Sequence, residues 1–569
     1  MRSPHRPVRV RLRRLAMAAA RRMPAPSRRR IRGLEFEQAR LLRSTRSALP
    51  VISRLATPTL ERLAEWGPRA RPSTAEIVRK FDAWQVQREL ADGLASVLAA
   101  AGIEFVRATN SGRHLIVVAA ENRAAAFEAL ALAPAAASWW AVPATGARPL
   151  RVRDLAAARH RITTFRVFRH LAAPNGAVLA HDSLFVVLSF WQTVKGKHKR
   201  RSDGGSHLRG TRLAPTRNIL ATYVDPTTWA AAQQVDGHFL PLQQRPRLLD
   251  MTDPIDAVYT WVDGDDPEWA ARLAAVSHDD PSISADALIP GRYADRGELR
   301  YSLRSLEMYA GWIRRIFIVT DGQVPGWLNT DHPKVTVVAH REIFKDPSCL
   351  PTFNSHAIES QLHRIPGLSE HFLYLNDDFF LARPLRPEHF FHGNGIPKIF
   401  LSNVSIDPGP PSPNDIAAAS AAKNNRTLLE ERFGRTINHR LQHAPFALLK
   451  SCLFELEDLL GPLHDNVMAA RFRSCSDYSI PSSLAHYYAY LTGRAVSGSL
   501  RYRYIDFLQP HAQEYCDELL AYRDFDVFCV NDVADRRDES SDLSVMEFLE
   551  RYFPLVSSFE RPWVKGDPR

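Results

Sequence analysis

Four short apolar runs in the second half of the chain each stop on a polar or acidic residue. Residues 255–262 (IDAVYTWV) run into Asp263-Gly264-Asp265-Asp266 and residues 316–320 (IFIVT) into Asp321-Gly322. Residues 335–339 (VTVVA) run into His340, and residues 372–375 (FLYL) into Asn376-Asp377-Asp378. Each run is too short for a helix and rich in β-branched or aromatic residues, the mark of a buried strand. Helical spacing fills the stretches between them, so the expected fold is α/β, a mostly parallel, doubly wound, Rossmann-like sheet. In such sheets ligands bind beyond the carboxyl ends of the strands, where these acids stand. Asp377 and Asp378 together suit a hard divalent cation, Mg²⁺ or Mn²⁺. Asn-Asp-Asp is also an ordinary turn sequence, and the segment alone does not choose between the two.

A chain of 569 residues calls for two or three domains. The net charge of +12 suggests nucleic acid until it is located: residues 1–33 hold 12 arginines and no acid. The body is therefore close to neutral, and no nucleic-acid partner is expected. The basic leader suits an anionic membrane surface or a solvated tail. No uncharged apolar run is long enough to span a bilayer. Five scattered cysteines without a CxxC pair point to a reduced, cytoplasmic chain, peripheral at most to the inner face of the membrane. The expected organisation is a tail (1–33), a helical arm (34–80), a small ferredoxin-like or related α+β domain (81–250) and a catalytic domain (251–569).

Within the last part, residues 297–309 (GELRYSLRSLEMY) place Leu299, Leu303 and Leu306 on one helix face and Arg300 and Arg304 on another. Two guanidinium groups one turn apart suit a diphosphate, or form an ordinary charged face with Glu307. Residues 351–365 supply a helix entered after Asn354 or Ser355, with His356, Glu359 and His363 on one face, a spacing that matches no recognised zinc pattern. Residues 402–425, rich in Pro, Ser, Asn and Ala, read as a lid or insertion loop. Residues 446–460 read as a helix.

The segments IDAVYTWVDGDDPEW, ELRYSLRSLEMYAGWIRRIFIVTDG with FNSHAIESQLHRI and FLYLNDDFFL, QHAPFALLK with FRSCSDYSIPSS, and FCVND with FLERYFP resemble the four conserved regions of the Stealth proteins. The resemblance covers roughly residues 254–560 in order. It implies a GT-A-like or Rossmann-like catalytic domain that transfers a sugar-1-phosphate from a nucleotide sugar, such as a UDP-sugar, to a glycan hydroxyl, releasing a nucleoside monophosphate. The family's catalytic aspartate matches Asp377 or Asp378, its histidine His443 and its arginine Arg473. Asp263, Arg300, Arg304, Asn354, Asn376 and Asp477 are then expected at the substrates, and Asp377 and Asp378 at the metal. Ser474-Cys475-Ser476-Asp477 stands where the animal relative has His-Ser-Glu-Asp, so only Asp477 is retained there. Phosphoryl transfer needs positioning and charge neutralisation, which these residue types supply, with His443 as the base toward the acceptor hydroxyl. A metal-dependent glycosyltransferase releasing a nucleoside diphosphate, or an inactive glycan-binding protein, would carry similar strand ends.

Overall fold

The structure, a computed structural model, describes residues 75–562 apart from 111, 145–148, 158–162, 181, 197, 201–205, 217, 219–220, 242–244, 279–282, 284, 413 and 532–538. The basic leader, nearly all of the arm and Asp532 lie outside the described residues. The chain divides into two compact units, Met1–Trp66 with Val142–Pro149 and Gly67–Ala141 with Leu150–Arg569. The second unit carries the sheet that positions the site and nearly all of the sheet that precedes it in the chain.

Helix α1 (Ala83–Ala100) begins at Asp82, whose carboxylate accepts from the Trp84 and Gln85 amides, and it buries Leu90, Leu94 and Leu98 at four-residue spacing. Strands β1 (Phe105–Asn110) and β2 (Arg113–Ala119) pair antiparallel. With helix α2 (Arg123–Leu132) between, two further strands follow, β3 (Thr164–Arg169) and β4 (Phe185–Thr193); β4 pairs parallel with β2 and antiparallel with β3. Alternation along β2 covers both sheet faces: Ile116 and Val118 pack with Leu90, Leu94 and Phe127, whereas Leu115 and Val117 pack with Trp229 of α3 (Pro226–Gln233). Among the described residues this sheet has eight strands, so it departs from the four-stranded ferredoxin-like arrangement.

The second sheet contains β5 (Ile255–Thr260), β6 (Ile316–Thr320), β7 (Val335–Ala339), β8 (His371–Asn376) and, further along the chain, the four-residue strand Phe446–Leu449. Its order is β7, β6, β5, β8 and Phe446–Leu449, with the first four parallel and the last antiparallel. The chain steps outward from β5 to β6 and β7, then returns to lay β8 on the other side of β5. The order therefore reverses between β5 and β8, whose paired ends are Thr260 and Asn376. A doubly wound sheet opens its ligand crevice at such a reversal.

Two local expectations are corrected. Residues 446–460 are a strand (Phe446–Leu449) followed by a helix (Lys450–Leu460), because a four-residue apolar run has no period of its own and the free edge of β8 pairs with it. Residues 402–425 are not one loop. They start inside strand β9 (Leu401–Ser405) and end inside α4 (Ala417–Phe433), where consecutive alanines favour helix over coil.

A three-stranded sheet closes the site from the C-terminal side. Phe379–Leu381 pairs antiparallel with Val527–Asn531, which pairs parallel with Tyr502–Asp506. Phe380 stacks on Phe528 and Phe553 at centroid distances of 5.0 and 5.8 Å. Among the described residues, no helix is long and apolar enough to cross a membrane.

Candidate active site

Asp377 and Asp378 emerge at the carboxyl end of β8, and Asp263 beyond the carboxyl end of β5. Gly264 lets the second loop pack tightly: its amide donates to the Tyr293 carbonyl at 2.7 Å, and a Cβ there would lie 2.6 Å from that oxygen. The following turn carries Asp295, which accepts from the Gly297 amide at 2.8 Å, and Glu298, which accepts from the Arg296 amide at 2.7 Å. Gly297 takes a φ of 81°, the left-handed conformation that starts the helix Glu298–Tyr309.

Burial raises these acids, and for Asp377 and Glu298 neighbouring carboxylates add to it. Burial, then Glu298, Asp378 and Asp295, push Asp377 well above the carboxylate range. Burial also lifts Glu298 to about 7 and, against a hydrogen bond from Cys529, Asp378 to about 6. Cys529 Sγ donates to Asp378 Oδ2 at 3.1 Å, whereas Asp378 Oδ1 is buried with no hydrogen-bond partner. Crowded carboxylates with an unpartnered oxygen fit a hard divalent cation. One ligand atom each from Asp378, His443 and Cys529 also lies within 4.8 Å of the others. That mixed set would suit a softer ion; in the metal-free chain, burial and the Asp378 charge push the Cys529 thiol up.

His443 stands beside Asp378, its ring edge-on to Phe379 at 5.7 Å and to Tyr504 at 6.0 Å. Crowding, then the charges of Arg440 and Arg473, pull its pKa down to about 4. The residue remains exposed to solvent, and the imidazole is neutral at pH 7. Arg473 Nη2 donates to Ser355 Oγ at 2.6 Å. Burial and then the charge of Arg292 lower its pKa from the ordinary guanidinium value.

Asp477 anchors the turn that follows Arg473. It accepts from Asn354 Nδ2 at 2.9 Å and Ser474 Oγ at 3.1 Å and pairs with His356 Nδ1 at 3.1 Å. Burial pushes its pKa up, but these bonds outweigh burial and hold it below the usual range. Asn354 caps the helix Ser355–Glu359 and also reaches the Phe472 carbonyl at 3.2 Å. Asn354 and Asp477 therefore fix Arg473 in place from a buried position.

The structure thus brings Asp378 and His443 together and sets Arg473 close enough to His443 to influence its charge. Asn376 lies at the same strand end as the two aspartates. Arg304, by contrast, is not free for a diphosphate. It is 5% exposed and grips Glu560 with Nε and Nη2 at 2.8 and 2.9 Å, while Nη1 donates to Glu550 and to the Phe553 carbonyl. Arg300 lies 3.7 Å from Glu560 and over the Trp327 ring. The helix face read as a phosphate grip therefore clamps the C-terminal segment. His356, Glu359 and His363 diverge to Asp477, Ser482 and Glu457. Sequence reasoning missed Asp295, Glu298, Cys529 and Arg440; the acid-Arg-Gly-acid run at a helix start was the one visible signal among them.

Four family models match the chain: Stealth protein conserved region 1 at residues 253–280, region 2 at 292–399, region 3 at 442–490 and region 4 at 517–567. An exopolysaccharide phosphotransferase of Streptomyces coelicolor is 51% identical over 55% of this chain and 53% of its own length. A second from that organism is 36% identical over 82% of this chain and 89% of its own. The exopolysaccharide phosphotransferase CpsY of Mycobacterium tuberculosis is 40% identical over 70% and 73%. Some of the relatives matched with high identity are thus spanned over only about half their length. The solved galactosyltransferase LgtC, in complex with donor and acceptor sugar analogues, aligns with 53% of this chain and 96% of its own at 12% identity and a TM-score of 0.28.

Proposed function

The chain belongs to the Stealth family, and on that premise we propose that it transfers a sugar-1-phosphate from a nucleotide sugar to a hydroxyl of a glycan acceptor in exopolysaccharide synthesis. The acceptor oxygen attacks the phosphorus that bears the sugar, and the bond from that phosphorus to the bridging oxygen breaks. A phosphodiester and a nucleoside monophosphate leave. The observation that carries this reading is the meeting of acid and base at the end of β8. A carboxylate oxygen of Asp378 and a ring nitrogen of His443 lie within 4.8 Å of each other, and the charge of Arg473 acts on that ring. A metal-bound diphosphate matches this set.

In this reading His443 accepts the proton of the attacking hydroxyl, a task open to an imidazole held neutral. Its pKa rises as phosphate anions arrive beside it, which strengthens the base when it is needed. Arg473 forks onto phosphate oxygens as charge redistributes in the transition state. Asp377 and Asp378 would hold Mg²⁺ or Mn²⁺, which when bound neutralises phosphate charge. Asp263 and Asn376 line the donor side, with a UDP-sugar as the donor class. Asn354 and Asp477 act through the position of Arg473. The arginine-rich leader supplies charge to hold the enzyme on anionic lipid at the inner membrane face. Phosphorus NMR of the glycan product tests the proposal: a phosphodiester resonance coupled to the anomeric proton is expected, and a phosphorus-free product overturns it.

A further inference from the structure

The carboxylates at the end of β8 have obvious occupants in divalent cations. One arginine near His443 is left without a task by the reaction scheme. Arg440 lies in the short strand His439–Leu441, three residues before His443. That strand pairs with Leu401–Ser405, so the Arg440 backbone is held by a neighbouring strand. Its side chain is half-buried, and its charge acts on His443. Among the described residues it makes no hydrogen bond, ion pair or ring contact, and its Nε is buried without a partner. Other half-buried arginines here find acids: Arg364 with Glu457 at 2.6 Å, Arg503 with Glu518 at 2.7 Å and Arg212 over Trp229 with Glu104 at 3.8 Å. A guanidinium taken partly from water with nothing to bond is costly, so its position asks for an anion from outside the chain.

Arg473 shows the same deficit, with Ser355 Oγ as its hydrogen-bond partner and no ion pair among the described residues. Two under-partnered guanidinium groups therefore act on one histidine. Single phosphoryl groups are commonly met by one fork, and a diphosphate presents oxygens enough for two.

We propose that Arg440 is a phosphate-binding residue of this site, gripping the donor diphosphate together with Arg473. The inference rests on the transferase reading for the identity of the donor, but its test does not need turnover. Magnesium pyrophosphate, which carries the diphosphate without sugar or base, is titrated calorimetrically into the wild type, R440A, R440Q and R440K. Thermal melts check that each variant is folded. The wild type binds, and R440A and R440Q bind roughly 10- to 100-fold more weakly, the worth of charged hydrogen bonds lost from a crowded site. R440K recovers only part of the affinity, because an ammonium has no fork. If R440A fails to fold, R440Q and R440K are judged by the same criteria. Affinity within about twofold of wild type in the folded neutral variants overturns the proposal, as does a wild type that does not bind pyrophosphate. Release of a nucleoside diphosphate in turnover, with pyrophosphate binding still lost in R440A, would instead overturn the reaction and leave the role of Arg440 intact.

Discussion

Replacing Arg304 should damage stability and spare the donor. The guanidinium is 5% exposed, makes paired bonds to Glu560 at 2.8 and 2.9 Å, and adds bonds to Glu550 and the Phe553 carbonyl. Glu560 also accepts from the Ser557 amide at 2.8 Å. Truncation in R304A leaves the buried Glu560 carboxylate without its two close guanidinium bonds and with only Arg300, at 3.7 Å, as counter-ion, a loss of about 3–5 kcal/mol. With a urea dependence of about 3 kcal/mol per molar for a domain of this size, the midpoint should fall by roughly 1 to 1.7 M. E560A should cost a similar amount, and R304A/E560A less than the sum, because the two removals abolish one shared interaction. The assay is urea unfolding followed by tryptophan fluorescence, with pyrophosphate affinity measured below the transition. Affinity should stay within about threefold of wild type, since each bonded nitrogen of Arg304 points at the C-terminal segment. A variant that unfolds at the wild-type midpoint, yet loses anion binding, would refute the clamp and restore Arg304 to the phosphates.

Three other outcomes are expected. D377N and D378N should each cut turnover strongly and abolish its stimulation by Mg²⁺ or Mn²⁺; full activity of the wild type in excess chelator would remove the cation. Asp477 is depressed by its partners, so its stabilising contribution is present above the unfolded carboxylate pKa and is lost as pH falls through its lower folded value. D477N should therefore be less stable at pH 7 and show a flatter loss of stability below about pH 4; identical acid unfolding curves would dissolve that assignment. Deleting residues 1–33 should end salt-sensitive binding to anionic vesicles while sparing turnover on a soluble acceptor, and unchanged vesicle binding would leave the leader no such role.

The parallel strands were legible because each apolar run is punctuated by a polar or acidic residue, and the same punctuation marks the strand ends where the crevice opens. The edge strand Phe446–Leu449 was not, since its four residues run straight into a helix-forming sequence and only the vacant edge of β8 selects extended backbone. A similar limit applies to the arginines. Helical spacing shows that Arg300 and Arg304 share a face, but Glu560, the partner that claims that face, lies 256 residues away from Arg304. Arg440 carried no spacing signal at all; its meaning comes from having no acid paired with it among the described residues. Cys529 is one more scattered thiol in the sequence, and only the pairing of Phe379 with Cys529 brings it against Asp378.

The most direct test of the account is the identity of the spent nucleotide. Purified enzyme is supplied with a panel of nucleotide sugars and a glycan acceptor, and the released nucleotide is separated by anion-exchange chromatography. Attack at phosphorus predicts the nucleoside monophosphate, formed in step with glycan phosphodiester. H443A should lower that rate by roughly 10²- to 10⁴-fold while still binding pyrophosphate. Accumulation of the nucleoside diphosphate would contradict the central claim, because it means the bond broken was between sugar and oxygen.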